Sequence, residues 1–324
     1  MPPVLPLVII TETLDAEAAA WLGQRARVLW CPHDRGVELD HHLAEAQALV
    51  VRTYTQVNED LLARAPQLRV VGRAGVGLDN IDLPACRRRG VAVVYTPDAN
   101  TQAVVEYVLG LMLDALRPRA AFEPAPGAAG AELFHEMRRE HVGVQLDELT
   151  LGILGFGRIG QRLGRVAHAL GMTLLVNDLK PEAELRAAAG YPFRCVDKPA
   201  LYAQSDILSI HVDGRPENRG LIGAQALSEL RPNCLLINAA RGMLVDNAAL
   251  AAWARGAEGR GGRVILDVHE PEPPPADYPF YGQANVRLLP HLASRTHRAL
   301  RNMSWVVRDV AAVLAGAAPQ YPAF

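Results

Sequence analysis

From residue 4 to residue 97 the chain alternates short apolar runs with amphipathic stretches. Apolar runs at Leu7–Thr11, Arg27–Cys31, Ala48–Arg52, Leu68–Arg73 and Val91–Tyr95 predict strands, and Asp15–Arg25, Glu38–Ala46, Asn58–Ala65 and Leu83–Gly90 predict helices between them. Asp15 and Asn58 each open an amphipathic run with a side chain able to accept from the first free N–H groups, so both are predicted N-caps. This rhythm predicts a small parallel sheet with helices on both faces. Thr96-Pro97-Asp98-Ala99-Asn100 breaks it, and Thr101–Leu116 follows as one long helix ended by Pro118. The apolar positions of that helix run most of the way round, so burial at a domain or subunit interface is expected. Residues 117–131, rich in Pro, Ala and Gly, predict a loop.

A second alternating series begins at Thr150. It predicts strands at 150–155, 172–178, 206–211, 234–239 and 263–268, and helices near 157–170, 182–189, 223–230 and 246–256. A last strand, Val286–Leu289, leads into Pro290-His291, and Ser294–Gly316 predicts one more helix. That helix cannot complete a domain alone, so it is expected to cross back to the N-terminal series. The fold class is therefore α/β with two doubly wound parallel-sheet domains. One is discontinuous, residues 1–98 plus 293–324, and the other spans 99–292.

The opening of the second series carries the clearest chemistry. The apolar run TLGILG feeds into G-x-G-x-x-G at Gly155, Gly157 and Gly160, a helical pattern follows, and a second apolar run ends on Asp178. Gly155 permits the tight turn, Gly157 lets the backbone approach a pyrophosphate, and Gly160 lets helix and strand pack closely. The N–H groups around Arg158 and Ile159 open the helix toward the phosphates. Asp178 can accept from both ribose hydroxyls and would repel a 2′-phosphate, which argues for NAD over NADP. In this strand–turn–helix–strand–acid context the motif is specific for a dinucleotide.

Composition narrows the classes. At 324 residues the chain is long enough for two domains. A formal net charge of −2 gives no electrostatic case for nucleic acid or an anionic membrane surface. Cys31, Cys86, Cys195 and Cys234 are scattered without metal or disulfide spacing, which fits free thiols in a reducing cytosol. No apolar run has the length of a membrane span, and the N-terminus lacks the basic start of a signal peptide, so a cytoplasmic location is expected.

Ligands of open α/β sheets sit outside the carboxyl ends of the strands. Three segments of the second domain place charged groups there: the strand ending Asn238-Ala239-Ala240-Arg241-Gly242, the strand ending Asp267-Val268-His269-Glu270-Pro271-Glu272-Pro273, and the strand ending Pro290-His291-Leu292-Ala293-Ser294. In the first domain Arg73-Ala74-Gly75-Val76-Gly77 places bare N–H groups at such an end. A cleft between the domains would collect them. Asp246 stands where a helix N-cap belongs. His33, His41 and His42 read as solvated loop residues, and Met112 and Trp305 as core.

Seven stretches, VVRTYTQV (50–57), GRAGVGLDNID (72–82), TPDANTQAVVE (96–106), TLGILGFGRIG (150–160), LLINAARGMLVD (235–246), ILDVHEPEP (265–273) and LPHLAS (289–294), carry a resemblance. Over nearly its whole length the chain resembles the D-isomer-specific 2-hydroxyacid dehydrogenase family, and its first domain is especially similar to phosphoglycerate dehydrogenases. The resemblance implies a Rossmann NAD-binding domain and a smaller flavodoxin-like substrate domain. It implies that Arg241 binds the substrate carboxylate and polarises the carbonyl, that His291 is the acid–base group, and that Glu272, not Glu270, orients it. It implies that Asp267 contacts the nicotinamide carboxamide in a pocket lined by Ala239, Ala240 and Ser294, and that His211 borders the cofactor. Val76 and Gly77 would hold the substrate carboxylate from the other side, and Arg52 matches a substrate-domain arginine. It implies a homodimer built across the nucleotide domains with the 101–116 helix involved. No metal is called for.

Residues 211–219, HVDGRPENR, depart from the family's usual pattern at Asp213, Gly214 and Arg215. Arg215 and Lys180 could compensate a 2′-phosphate, so NADP stays open beside NAD. The expected reaction is hydride transfer between the nicotinamide and a small D-2-hydroxy or 2-keto acid. Phosphoglycerate is the first candidate substrate, with hydroxypyruvate, glyoxylate and D-lactate as rivals. Arg138 and Arg139 are candidates for a second cation facing a phosphate. Two other readings stand beside it: an NAD(H)-sensing corepressor-like protein, and a dehydrogenase of formate or phosphite on the same scaffold.

Overall fold

The structure, a computed structural model, describes residues 5–34, 36–117, 119–125 and 130–324. The chain divides into two compact units, Met1–Asn100 with Ser294–Phe324, and Thr101–Ala293.

The first unit holds five parallel strands, β1 (Leu7–Ile10), β2 (Arg27–Trp30), β3 (Ala48–Val51), β4 (Val70–Arg73) and β5 (Ala92–Tyr95), in the order β2-β1-β3-β4-β5. This is the flavodoxin-like order, with its switch point between β1 and β3. Every residue of β1 and β3 is buried, as expected of inner parallel strands covered on both faces. Asp15 and Asn58 cap their helices as the pattern predicts, Asp15 accepting from Glu17 N and Asn58 from Leu61 N. His41 and His42 lie in the helix Gly36–Leu43 rather than a loop.

The tail forms two helices, His297–Ser304 and Val307–Leu314, where the pattern predicts one. Packing on the sheet accounts for the placing of the second: a Cβ on Gly72 of β4 would lie 2.4 Å from Val310 Cγ2 and 3.6 Å from Val306 Cγ1, so only glycine admits these valines so close. Arg69 closes the helix end, donating to Val313 O and Leu314 O at 3.2 and 3.0 Å. The chain then returns to the edge of β5, where Ala323 N donates to Val93 O at 2.8 Å. Trp305 is half-buried, edge-on to Trp21.

The second unit holds seven parallel strands: β6 (Thr150–Leu154), β7 (Thr173–Asn177), β8 (Arg194–Cys195), β9 (Ile207–Ile210), β10 (Leu235–Asn238), β11 (Arg263–Leu266) and β12 (Val286–Leu288). Their order is β12-β11-β10-β9-β6-β7-β8. Read from β8, this is the dinucleotide-binding order with one strand added, and its switch point lies between β6 and β9. The helix Thr101–Leu116 buries Val104, Val105, Val108, Leu111 and Met112 in the core of this unit. Pro118, its predicted stop, lies outside the described residues, as do four residues, 126–129, of the predicted loop.

Three elements have no counterpart in the apolar pattern: the helix Gly130–Glu140, the two-residue strand β8 and the helix Lys198–Gln204. The first buries no residue, so it has no apolar stripe facing this unit's core. The last begins with Asp197, which accepts from Ala200 N, and has a proline in its first turn, a start signal present in the sequence. No helix among the described residues is long and apolar enough to cross a membrane.

Candidate active site

At the switch point of the second unit β6 ends in the glycine loop. Gly155 has φ 93°, and a Cβ there would lie 2.7 Å from the backbone carbon of His211, at the exit of β9. A Cβ on Gly160 would meet Gly155 O at 2.3 Å, so the helix Arg158–Ala169 is seated directly on the loop. At Gly157 nothing lies within 4 Å of such an atom, and no side chain caps the helix that starts there. A bare backbone with open space before a helix N-terminus is a cradle for phosphates, and a dinucleotide fits it. Asp178, just past β7, is half-buried and accepts from Phe156 N at 2.5 Å and Lys180 N at 2.9 Å. The acid expected at the ribose is thus tied to the start of the glycine loop.

His211 hydrogen-bonds Ser209 Oγ through Nε2 at 2.8 Å, and burial pushes its pKa down from 6.5 to about 4. Between those values the unfolded chain binds a proton that the folded chain does not. Stability should therefore fall as pH drops from about 6.5 toward about 4, by up to ~1.4 kcal/mol per pH unit from this group. Urea midpoints for the wild type and His211→Asn across that range check this, and parallel curves would remove the assignment. In the same loop Arg215 is gripped by Asp213, with Nε to Oδ1 at 2.7 Å and Nη2 to Oδ2 at 2.5 Å. That hydrogen bond holds the Asp213 carboxyl below its usual range.

The strand β10 ends on Asn238, whose amide braces the next turn. It accepts from Ala240 N at 3.1 Å and donates to Arg241 O at 2.9 Å. Arg241 is half-buried and donates through Nη1 to Ala240 O at 2.7 Å. A Cβ on the next residue, Gly242, would lie 1.9 Å from His269 O, so the arginine turn is pressed against the backbone leaving β11. On that segment Glu272 Oε1 meets His291 Nδ1 at 2.7 Å, and Oε2 accepts from His269 N at 3.4 Å. Burial pushes the Glu272 carboxyl up, but the hydrogen bond and charge of His291 leave it below its ordinary value. Glu270 pairs elsewhere, with Arg219 at 3.0 Å. Hydrogen-bonded through Nδ1, His291 has Nε2 left for another partner.

His291 has φ 55°, the positive-φ position that is not glycine among the described residues. Such a conformation needs support from around it. Asp267 supplies it: its carbonyl accepts from His291 N at 2.8 Å, and its carboxylate accepts from Leu292 N at 2.8 Å and Ala293 N at 2.9 Å. Asp267 has no exposed surface. Ala239 and Ala240 are half-buried beside Arg241, and Ser294, where the chain enters the first unit, accepts through its carbonyl from Thr296 N at 3.0 Å.

At the switch point of the first unit, Glu12 follows β1 and receives the backbone leaving β3. Its carboxylate accepts from Arg52 N, Thr53 N, Tyr54 N and Thr55 N at 2.9–3.2 Å. This fixes Arg52, whose Nη1 donates to Thr13 O at 3.2 Å. Burial lowers the pKa of its guanidinium, Glu12 opposes that, and the like charge of Arg295 adds to it. Val76 and Gly77 are half-buried after β4, and Gly75 O accepts from both Thr96 N and Thr96 Oγ1 at 3.1 and 3.2 Å. Glu12, Asn238 and His269 were not singled out from sequence. Glu12 carried a signal, an acid at the end of a buried strand, whereas the other two are recognisable only through their partners.

Residues 109–293, more than half of the chain, match the family model described as D-isomer specific 2-hydroxyacid dehydrogenase, NAD binding domain. The chain is 38% identical to the (S)-sulfolactate dehydrogenase of Chromohalobacter salexigens over 93% of this chain and 96% of that one. It is 36% identical to the D-3-phosphoglycerate dehydrogenase of Mycobacterium tuberculosis over 96% of this chain, but spans only 57% of that protein's length. Among solved structures, the NADPH-dependent glyoxylate/hydroxypyruvate reductase of Sinorhizobium meliloti, in complex with NADP and malonate, superposes with a TM-score of 0.81 at 25% identity, covering 98% of this chain and 96% of that one.

Proposed function

The chain belongs to the D-isomer specific 2-hydroxyacid dehydrogenase family, and on that premise we propose that it interconverts a small D-2-hydroxy acid and its 2-keto acid with NAD. Bound to the second unit, the reduced nicotinamide would supply the hydride that attacks the carbonyl carbon. His291 gives the proton that the carbonyl oxygen takes up, and Glu272 fixes its tautomer and offsets its charge. Arg241 offers a planar fork to the substrate carboxylate and carbonyl. In the first unit Arg52 and the backbone at Val76 and Gly77 are assigned to the substrate. The observation that carries the reading is the 2.7 Å Glu272–His291 pair on strand ends adjoining the Arg241 turn.

The glycine loop and Asp178 are assigned to NAD. The grip of Asp213 on Arg215 supports NAD over NADP, since the guanidinium that would meet a 2′-phosphate is already matched. The substrate we favour is a three-carbon 2-hydroxy acid with a second oxyanion on C3, as the names of the phosphoglycerate and sulfolactate relatives describe. Sulfur on C3 reverses the priority of that carbon against the carboxylate. The S descriptor of one name and the D descriptor of the other therefore describe the same arrangement about C2. Arg295, in the field of Arg52, supports a doubly anionic substrate. We also assign a homodimer to the second unit, where Leu133 and Phe134 of the helix Gly130–Glu140, and Val142 after it, stand exposed; sedimentation reads the oligomeric state.

The deciding experiment is a panel of keto acids, with and without a C3 oxyanion, assayed with NADH and NADPH. Turnover with NADH preferred and with the doubly anionic acids fastest is expected. Tight NADH binding with no turnover of any acid would favour a sensor instead, and preference for NADPH would overturn the reading of Asp178.

A further inference from the structure

Three successive amides, those of His291, Leu292 and Ala293, point at one residue, Asp267, through its carbonyl and both carboxylate oxygens. Two of these consecutive N–H groups, those of Leu292 and Ala293, surround an anion as in a nest, and here the anion is a side chain of the protein itself. A fourth donor arrives from the helix Thr101–Leu116, where the Tyr107 hydroxyl meets Asp267 Oδ1 at 2.9 Å. A carboxylate has a rotational freedom that its backbone does not fix. The rotation that presents one oxygen to Leu292 N and the other to Ala293 N also presents Oδ1 to the phenol, which adds a third restraint on it.

We propose that Tyr107 is a positioning residue for His291, acting through Asp267: its hydroxyl locks the carboxylate in the rotation that holds residues 291–293 in the turn that the left-handed His291 begins. The inference rests on the acid–base reading of His291 for its kinetic consequence, though not for its structural one. The Tyr107 ring lies in a helix that otherwise turns apolar side chains into the core, and the phenol is half-buried. Burial and the charge of Asp267 push its pKa well above the ordinary value, so it remains a donor throughout the working range. An unmatched buried acceptor is costly, and phenylalanine at this position would leave one lone pair of Asp267 without its donor while keeping the ring.

The test is Tyr107→Phe, alone and in an Asp267→Asn background. In the unliganded protein, amide exchange at Leu292 and Ala293 should speed up about tenfold, while exchange in β6 and β7 stays unchanged. With a working keto acid, kcat should fall about tenfold with the KM for NADH unmoved. In the Asp267→Asn background the same change should add nothing, because the relay is already broken. Unchanged exchange at those two amides overturns the inference, even if the melting temperature drops, since Tyr107 would then serve packing alone. An effect that persists in full without the Asp267 carboxylate overturns it as well. Were the wild type to turn over no keto acid, the hydride-transfer reading would fail, and the exchange measurement would still decide the role of Tyr107.

Discussion

Replacing His291 with asparagine is expected to slow keto-acid reduction by about 10²–10⁴, the usual worth of a positioned general acid, while NADH still binds. The proposed reading places the two functions on different strand ends of the sheet. The glycine loop and Asp178 follow β6 and β7, whereas His291 follows β12, the opposite edge strand. Asparagine is chosen because it tolerates positive φ better than most residues. The turn at φ 55° and its amide bonds to Asp267 can then persist when the imidazole is gone. Stopped-flow oxidation of NADH gives the rate, and titration of NADH fluorescence gives the affinity. A variant that keeps its rate has no need of the imidazole, and one that loses NADH instead assigns His291 to the cofactor.

How much of this was legible beforehand depends on the range of the interaction concerned. Local chemistry was readable. Asp15, Asn58 and Asp246 each cap the helix they precede, because a cap is a contact over two or three residues. The glycine loop was readable because its spacing is fixed by one turn geometry. The choice of Glu272 over Glu270 came from family resemblance, and the geometry shows why the two differ: Glu270 is drawn to Arg219 and only Glu272 reaches His291.

Interactions across long stretches of chain, and those made by the backbone, were not readable. Tyr107 and Asp267 stand 160 positions apart. The buried Asp267 is satisfied largely by main-chain N–H groups, which no residue type announces. Glu12 behaves alike, collecting four backbone amides from 40 or more positions away. Each is a carboxylate at a strand end that organises the loop leaving the neighbouring strand without itself being exposed. The helix Gly130–Glu140 escaped although Leu133, Phe134 and Met137 recur at helical spacing, because the Pro-, Ala- and Gly-rich run that leads into it reads as a loop.

Gly242→Ala is expected to cost about 1–3 kcal/mol of stability and to slow turnover by about 10²-fold in whatever protein still folds. The new Cβ would overlap His269 O at 1.9 Å, His269 C at 2.0 Å and Glu270 N at 2.6 Å, all main-chain atoms with no rotamer to change. Neither side has slack. On one side, Gly220 N donates to Met243 O, Ile222 N to Leu244 O and Asp246 N to Ile222 O, which fasten the turn that Gly242 begins. On the other, the buried His269 ring reaches from Tyr278 Oη, 3.2 Å away, to Leu289 O at 2.8 Å, and Asn247 donates to Glu270 O at 2.6 Å. Relief must come from parting the Arg241 turn from the segment that carries Glu272. In the proposed reaction Arg241 and the His291 that Glu272 orients act on one small acid, so a shift of about 1 Å between them is enough to lose the rate. Urea denaturation of the variant and kcat measured well below its melting temperature separate the two effects. A variant within about 0.5 kcal/mol of wild-type stability and with unaltered kcat would mean that the two strand ends move independently, and that the close seating of Gly242 on His269 has no part in holding the site together.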